Sequence, residues 1–141
     1  MEKLTVEKEI WVDAPRERVW QAVTDDKRLM EWWGDHWEIP VLEVGAEIKF
    51  GEPGDLMSAW IERLDPPREF AIRWPPQPQY HSTEIFTIFL LEEENGGTRV
   101  KVSETGFEAL PEDVRQKRFD STAKGYETVL VGLKKHLEGE K

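Results

Sequence analysis

The chain has 141 residues, 38% hydrophobic and 34% charged, a net charge of −10 and no cysteine. That length suits one domain, residues 1–141, with its own core, while the negative field disfavours nucleic acid and anionic membranes as partners and the missing thiols exclude disulfides, thiol catalysis and thiolate metal sites. No apolar run approaches the roughly 20 residues of a spanning helix, and Met1-Glu2-Lys3-Leu4 lacks a secretion-signal pattern, so a cytoplasmic location is expected.

Thr5 to Val12 reads as a strand with Val6, Ile10 and Val12 on one face and Trp11 on the other. Pro15 starts a helix whose apolar side is Val19, Trp20 and Val23. Thr24-Asp25-Asp26 breaks it and caps a second short helix, Lys27 to Trp33, which turns Leu29, Trp32 and Trp33 inward. Gly34 ends it. Trp37 and Ile39 fit a short strand before Pro40, and Glu47 to Phe50 a further one. Gly51-Glu52-Pro53-Gly54-Asp55 is a turn. Leu56 to Leu64 is the next strand, closed by Asp65-Pro66-Pro67. In Glu69 to Trp74, Phe70, Ile72 and Trp74 alternate.

The proline-rich segment 75–79 cannot donate ladder bonds at its three prolines, so it is a loop or rim. Thr83 to Glu92 and Thr98 to Thr105 flank the hairpin signal Asn95-Gly96-Gly97. In Ile85–Leu91 both alternation sets are apolar, so both faces of that strand call for cover, one of them from a second copy of the chain. The last element is a helix from Pro111 to about Leu137, about 27 residues and roughly 40 Å long. Glu112 and Asp113 meet the positive end of its dipole, and Lys134, Lys135 and His136 the negative end. Phe119, Thr122, Tyr126, Leu130, Leu133 and Leu137 recur at steps of three and four, with Val129 at the stripe's edge. Gly125 and Gly132 share a neighbouring line, where each costs roughly 1 kcal/mol against Ala; packing must hold such a helix. Strands in a run with helices to one side make an α+β fold: a curved antiparallel sheet of about six strands, two short helices and a long C-terminal helix.

The catalytic signatures are missing. The serines lie in no elbow motif, the three histidines have no metal-ligand spacing, and no glycine-rich phosphate loop appears. No cofactor or metal is expected. Arg63, Arg68 and Arg73 near Asp65 read as surface ion pairs. His81, beside Tyr80 and just after the proline-rich segment, is either a polar anchor for a ligand or an exposed loop histidine. Glu104 shares a face with Val100 and Val102; it is either a carboxylate turned into the interior, needing a partner or a raised pKa, or left wet by relaxation before Gly106. Seven tryptophans are many for such a chain, and large rings line cores and pockets alike.

Several short motifs occur in one order: Ala14-Pro15-x-x-x-Val19-Trp20, Thr24-Asp25, Trp32-Trp33, Asp65-Pro66-Pro67-x-x-Phe70 with Trp74, Gly97-Thr98-x-Val100-x-Val102, Glu104-x-Gly106-Phe107 and Gly125-Tyr126. Together they resemble the START-like (SRPBCC) helix-grip superfamily that includes the birch-pollen allergen. Within it they resemble the branch named after the C-terminal domain of the activator of heat-shock protein 90 ATPase, which also holds proteins similar to the calicheamicin resistance protein. The resemblance runs from about Val6 to Leu137. It implies an apolar cavity between sheet and long helix, and it covers carriers, receptors, cyclases, sequestering proteins and co-chaperone domains with stress-response roles; the fold alone does not choose among them. Where the branch commonly has Gly-Trp, this chain has Gly125-Tyr126, which adds a hydroxyl. The expected function is non-enzymatic binding of a small hydrophobic or aromatic molecule at Trp33, Trp37, Trp60, Trp74, His81, Glu104, Phe119 and Tyr126. The alternatives are a co-chaperone-like interaction module, with a chaperone as partner, and a polyketide-cyclase-like enzyme using Glu104 and His81. A homodimer is the expected assembly.

Overall fold

The structure, a computed structural model, describes residues 5–33, 35–74, 85–107 and 110–139. β1 (Val6–Val12) lies at one edge of the sheet. Pro15 holds the extended backbone that enters α1 (Arg16–Thr24), where Val19, Trp20 and Val23 are buried. Asp25 then caps α2 (Asp26–Trp32) by accepting a 3.1 Å bond from the Lys27 N–H. β2 (His36–Glu38) forms the opposite sheet edge, so the two short helices carry the chain from one edge to the other. β3 (Glu47–Glu52), β4 (Asp55–Asp65), β5 (Glu69–Trp74), β6 (Ile85–Glu94) and β7 (Gly97–Thr105) follow as an antiparallel meander.

Among the described residues the strand order is β1-β7-β6-β5-β4-β3-β2, a curved antiparallel sheet of seven strands rather than about six. The smallest is the three-residue β2, the short strand expected around Trp37, which among the described residues pairs with β3 alone. The β6–β7 hairpin turns on Asn95 and Gly96, both at positive φ (51° and 80°), the conformation that a two-residue turn of the hand matching strand twist demands. α3 (Glu112–Gly139) is 28 residues long and packs along β1 and against both short helices.

The register fixes which side chains share a face. Ile85, Thr87, Phe89 and Leu91 of β6 are buried on the concave side, while Phe86, Ile88 and Leu90 are half-buried on the convex side. The doubled apolar pattern of this strand therefore means one core face and one half-exposed outer face. On α3, Tyr126, Leu130, Leu133 and Leu137 are buried, and Phe119 and Val129 are partly so.

The two helix glycines have different surroundings. A Cβ on Gly132 would lie 3.2 Å from the Trp32 carbonyl oxygen, a backbone atom at the end of α2, whereas one on Gly125 would meet nothing within 4 Å. The seven residues of α2 end before they reach Gly125. Gly132→Leu is expected to cost about 1–3 kcal/mol by overpacking, and Gly125→Ala to gain up to about 1 kcal/mol from helix propensity. Thermal melts of both variants check this; an unchanged midpoint for Gly132→Leu would show that α2 yields freely there.

Candidate functional site

The polar centre of the concave face is built by three elements. Thr87, on the inward set of β6, stands opposite Glu104 of β7 in the register, and Tyr126 descends onto them from α3. The Trp74 Nε1–H donates to Thr87 Oγ1 at 2.9 Å, Thr87 donates to Glu104 Oε1 at 2.6 Å, and the Tyr126 hydroxyl donates to the same oxygen at 2.7 Å. An indole nitrogen can only donate, so Thr87 accepts from Trp74 and its own proton is free for Glu104. Two donors thus converge on Oε1, while Oε2 has no hydrogen-bond donor among the described residues.

Burial pushes the Glu104 carboxyl above its ordinary range, against the pull of the Thr87 and Tyr126 donors and of the Arg118 charge. Burial, reinforced by the Glu104 charge, holds the Tyr126 phenol well above its ordinary value. A carboxyl whose folded pKa exceeds its unfolded one gives its full stability below the unfolded value, about 4.3. That contribution declines as pH rises through the folded value, because the unfolded chain releases the proton first. Glu104→Gln removes this titration while keeping an acceptor for Thr87 and Tyr126. It is expected to melt above the wild type at about pH 7, with the difference closing by about pH 4. An equal difference at both pH values would mean that ionisation of Glu104 is not its source.

A pocket of about 210 Å³ opens beside this centre, lined by Trp33, Glu104, Thr122, Gly125, Tyr126 and Val129. Deeper in the concave face the rings fill the space: Trp37 lies 5.0 Å from Trp33 and 4.5 Å from Phe50, and Phe50 lies 5.4 Å from Trp74 between centroids. Trp33, Trp37, Trp74, Glu104 and Tyr126 are therefore brought together. Glu104 takes the inward one of its two readings: it is the acceptor of a built network rather than a wet strand end.

Other expected site residues lie elsewhere. Trp60 is a correction: it stands on the convex face, opposite Arg73 in the register, with that guanidinium 4.9 Å from its ring. Ala59 and Ile61 take the buried positions on either side of it, so strand alternation sends Trp60 outward. Phe119 packs edge-on against Phe107 at 5.9 Å, two helical turns from Tyr126, and does not line the pocket. His81 lies outside the described residues. The arginines do form surface pairs, Arg63 with Glu69, Arg68 with Asp65 and Arg73 with Glu62. Thr87 was not expected. Its signal was present as the one polar member of the inward set Ile85, Thr87, Phe89, Leu91. Among the described residues no acidic or histidine cluster is arranged to hold a metal, and no helix is long and apolar enough to cross a membrane.

Residues 13–138 match the family described as "Activator of Hsp90 ATPase homolog 1-like protein". No curated protein matches the sequence. Among solved structures, protein MLL2253 from Mesorhizobium loti superposes with a TM-score of 0.83 at 16% identity, covering 97% of this chain and 98% of that one. The Aha1 dimer from Colwellia psychrerythraea gives 0.76 at 22% identity, with coverages of 97% and 98%. DynU16, a protein of the dynemicin biosynthetic locus, gives 0.78 at 22% identity; it covers 99% of this chain, which spans 49% of DynU16. The chain belongs to the family of activator of Hsp90 ATPase homolog 1-like proteins, and these structures are similar to it in fold.

Proposed function

We propose that this chain is a non-enzymatic binding domain for a small hydrophobic or aromatic molecule, held between the sheet and α3. The observation that carries the reading is the Glu104–Thr87–Tyr126 centre at the wall of a pocket whose other side chains include Trp33 and Val129. Such a wall combines apolar area, worth roughly 25 cal/mol per Å² buried, with a few fixed polar groups that orient a ligand. Ligands of this kind are expected to shift tryptophan emission saturably with micromolar affinity, about −8 kcal/mol. Gly125→Leu is the matched control. Its side chain enters the open space over Gly125 and is expected to abolish the response while leaving the melting temperature near that of the wild type. A response that survives Gly125→Leu unchanged would place the ligand elsewhere.

A second reading, a protein-interaction module, is supported by apolar surface outside the pocket. Val41, Leu42 and Val44 are exposed in the β2–β3 connection, and Phe86, Ile88 and Leu90 are half-exposed on the convex face. The family name points this surface toward a chaperone, and the dimeric Colwellia relative toward a second copy. Light scattering at micromolar concentration separates the two, since only the second makes the isolated chain a dimer. A cyclase-like enzyme needs an acid/base partner for Glu104; among the described residues the groups that reach its carboxyl oxygen are two hydroxyl donors, and the expected partner His81 lies outside those residues.

A further inference from the structure

We propose that Trp33 is a displaceable plug, and that the space its indole fills is the seat of a planar, bicyclic aromatic ligand. This rests on the reading that the pocket between sheet and α3 binds small molecules. Trp33 follows the last residue of α2, as its C-cap. Its ring sits among Trp32, Trp37, Phe50, Phe89 and Tyr126, at centroid distances of 5.3, 5.0, 6.2, 6.3 and 6.3 Å. The contacts are tilted or edge-on, the arrangements that aromatic quadrupoles favour. The protein thus presents a five-ring cage, and the occupant is one of its own side chains.

Three features make that occupant removable. Of the surrounding indoles, Trp32 is tied by its Nε1–H donating to the Ala22 carbonyl at 2.8 Å, and Trp74, beyond Trp37, by its Nε1–H donating to Thr87 at 2.9 Å. The Trp33 indole has no hydrogen bond among the described residues. It is only half-buried, at a helix end, and one side of it already lines the open pocket. Swinging it out breaks no hydrogen bond among the described residues and merges the cage with the 210 Å³ pocket. The pocket alone falls short of the roughly 300–1,000 Å³ typical of ligand sites, and the vacated indole volume makes up the difference.

The merged space also has chemistry that the closed one does not use. The Trp37 Nε1–H is buried with no acceptor among the described residues, and its ring lies directly against that of Trp33. On the other side Tyr126 carries the link to Glu104. A planar ring with a hydroxyl or carbonyl substituent therefore fits the cage better than a bare hydrocarbon of the same size.

The test compares binding of 2-naphthol to the wild type, Trp33→Ala and Trp33→Leu, followed by calorimetry and by nuclear magnetic resonance of fluorinated tryptophan. Removing the plug removes the cost of displacing it, so both variants are expected to bind at least about tenfold tighter than the wild type, and naphthol to raise their melting temperatures more. In the wild type, saturation is expected to shift the Trp33 resonance to a solvent-exposed position while that of Trp74, tied to Thr87, stays in place. Trp33→Leu, which still fills part of the cage, keeps the comparison valid if the alanine variant does not fold. Equal affinity across the three proteins, or weaker binding by the variants, overturns the plug but leaves a ligand site in the outer pocket. Absence of binding by all three overturns both the plug and the reading it rests on.

Discussion

Tyr126→Ala is expected to destabilise the protein by roughly 3–5 kcal/mol, the range for losing a large buried ring. The ring is 7% exposed and stacks edge-on against Trp33 at 6.3 Å. Its hydroxyl is one of two donors holding Glu104 Oε1. Tyr126→Phe separates the two contributions. It keeps the ring and removes one donor from a sheltered carboxyl, for which a loss of about 1–3 kcal/mol is expected. It also raises the Glu104 pKa further, since a hydrogen bond that favours the charged form is gone. Denaturant titrations of the two variants give the ring term as their difference. If the two variants lose the same amount, the hydroxyl rather than the ring is what ties α3 to the sheet.

The elements that were legible in the sequence are those whose signals are local. The long helix carries acidic residues at its start, basic ones at its end and a stripe at helical spacing, and it forms over Glu112–Gly139. Asn95-Gly96 is a two-residue turn because few other pairs tolerate two positive φ values. Trp74 was readable as inward because Phe70 and Ile72 fix the alternation of β5. Trp60 shows how the same logic fails when it is not followed through. A central strand is not a face, and Ala59 and Ile61 beside it already claimed the core side.

The candidate centre was less legible because it is not local. Thr87 meets Trp74, Glu104 and Tyr126 across separations of 13, 17 and 39 residues. No periodicity within one element announces such a meeting. Only the β6–β7 register, with Thr87 opposite Glu104, and the depth of the α3 stripe bring the groups together. Gly125 and Gly132 differ for the same reason. They share a line on α3, but α2 approaches one and stops short of the other, so one glycine serves packing and the other keeps a pocket wall open.

Trp37 is where the remaining large effect is expected. It is 1% exposed and supplies the one buried side chain of β2, an edge strand of three residues that among the described residues pairs with β3 alone. A strand that short contributes few ladder bonds, so its attachment depends on this ring in contact with Trp33, Phe50 and Trp74. Trp37→Ala is expected to cost roughly 3–5 kcal/mol and to lower hydrogen-exchange protection in β2 before the rest of the sheet. Trp37→Phe is a sharper case, because two effects oppose. It loses part of the buried area, but it also deletes an indole N–H that has no acceptor among the described residues, and such an unpaired donor costs about 1–3 kcal/mol in the wild type. The phenylalanine variant should therefore lose much less than the alanine one, with a denaturant midpoint close to that of the wild type. A midpoint as low as that of Trp37→Ala would show that the indole N–H is satisfied in solution.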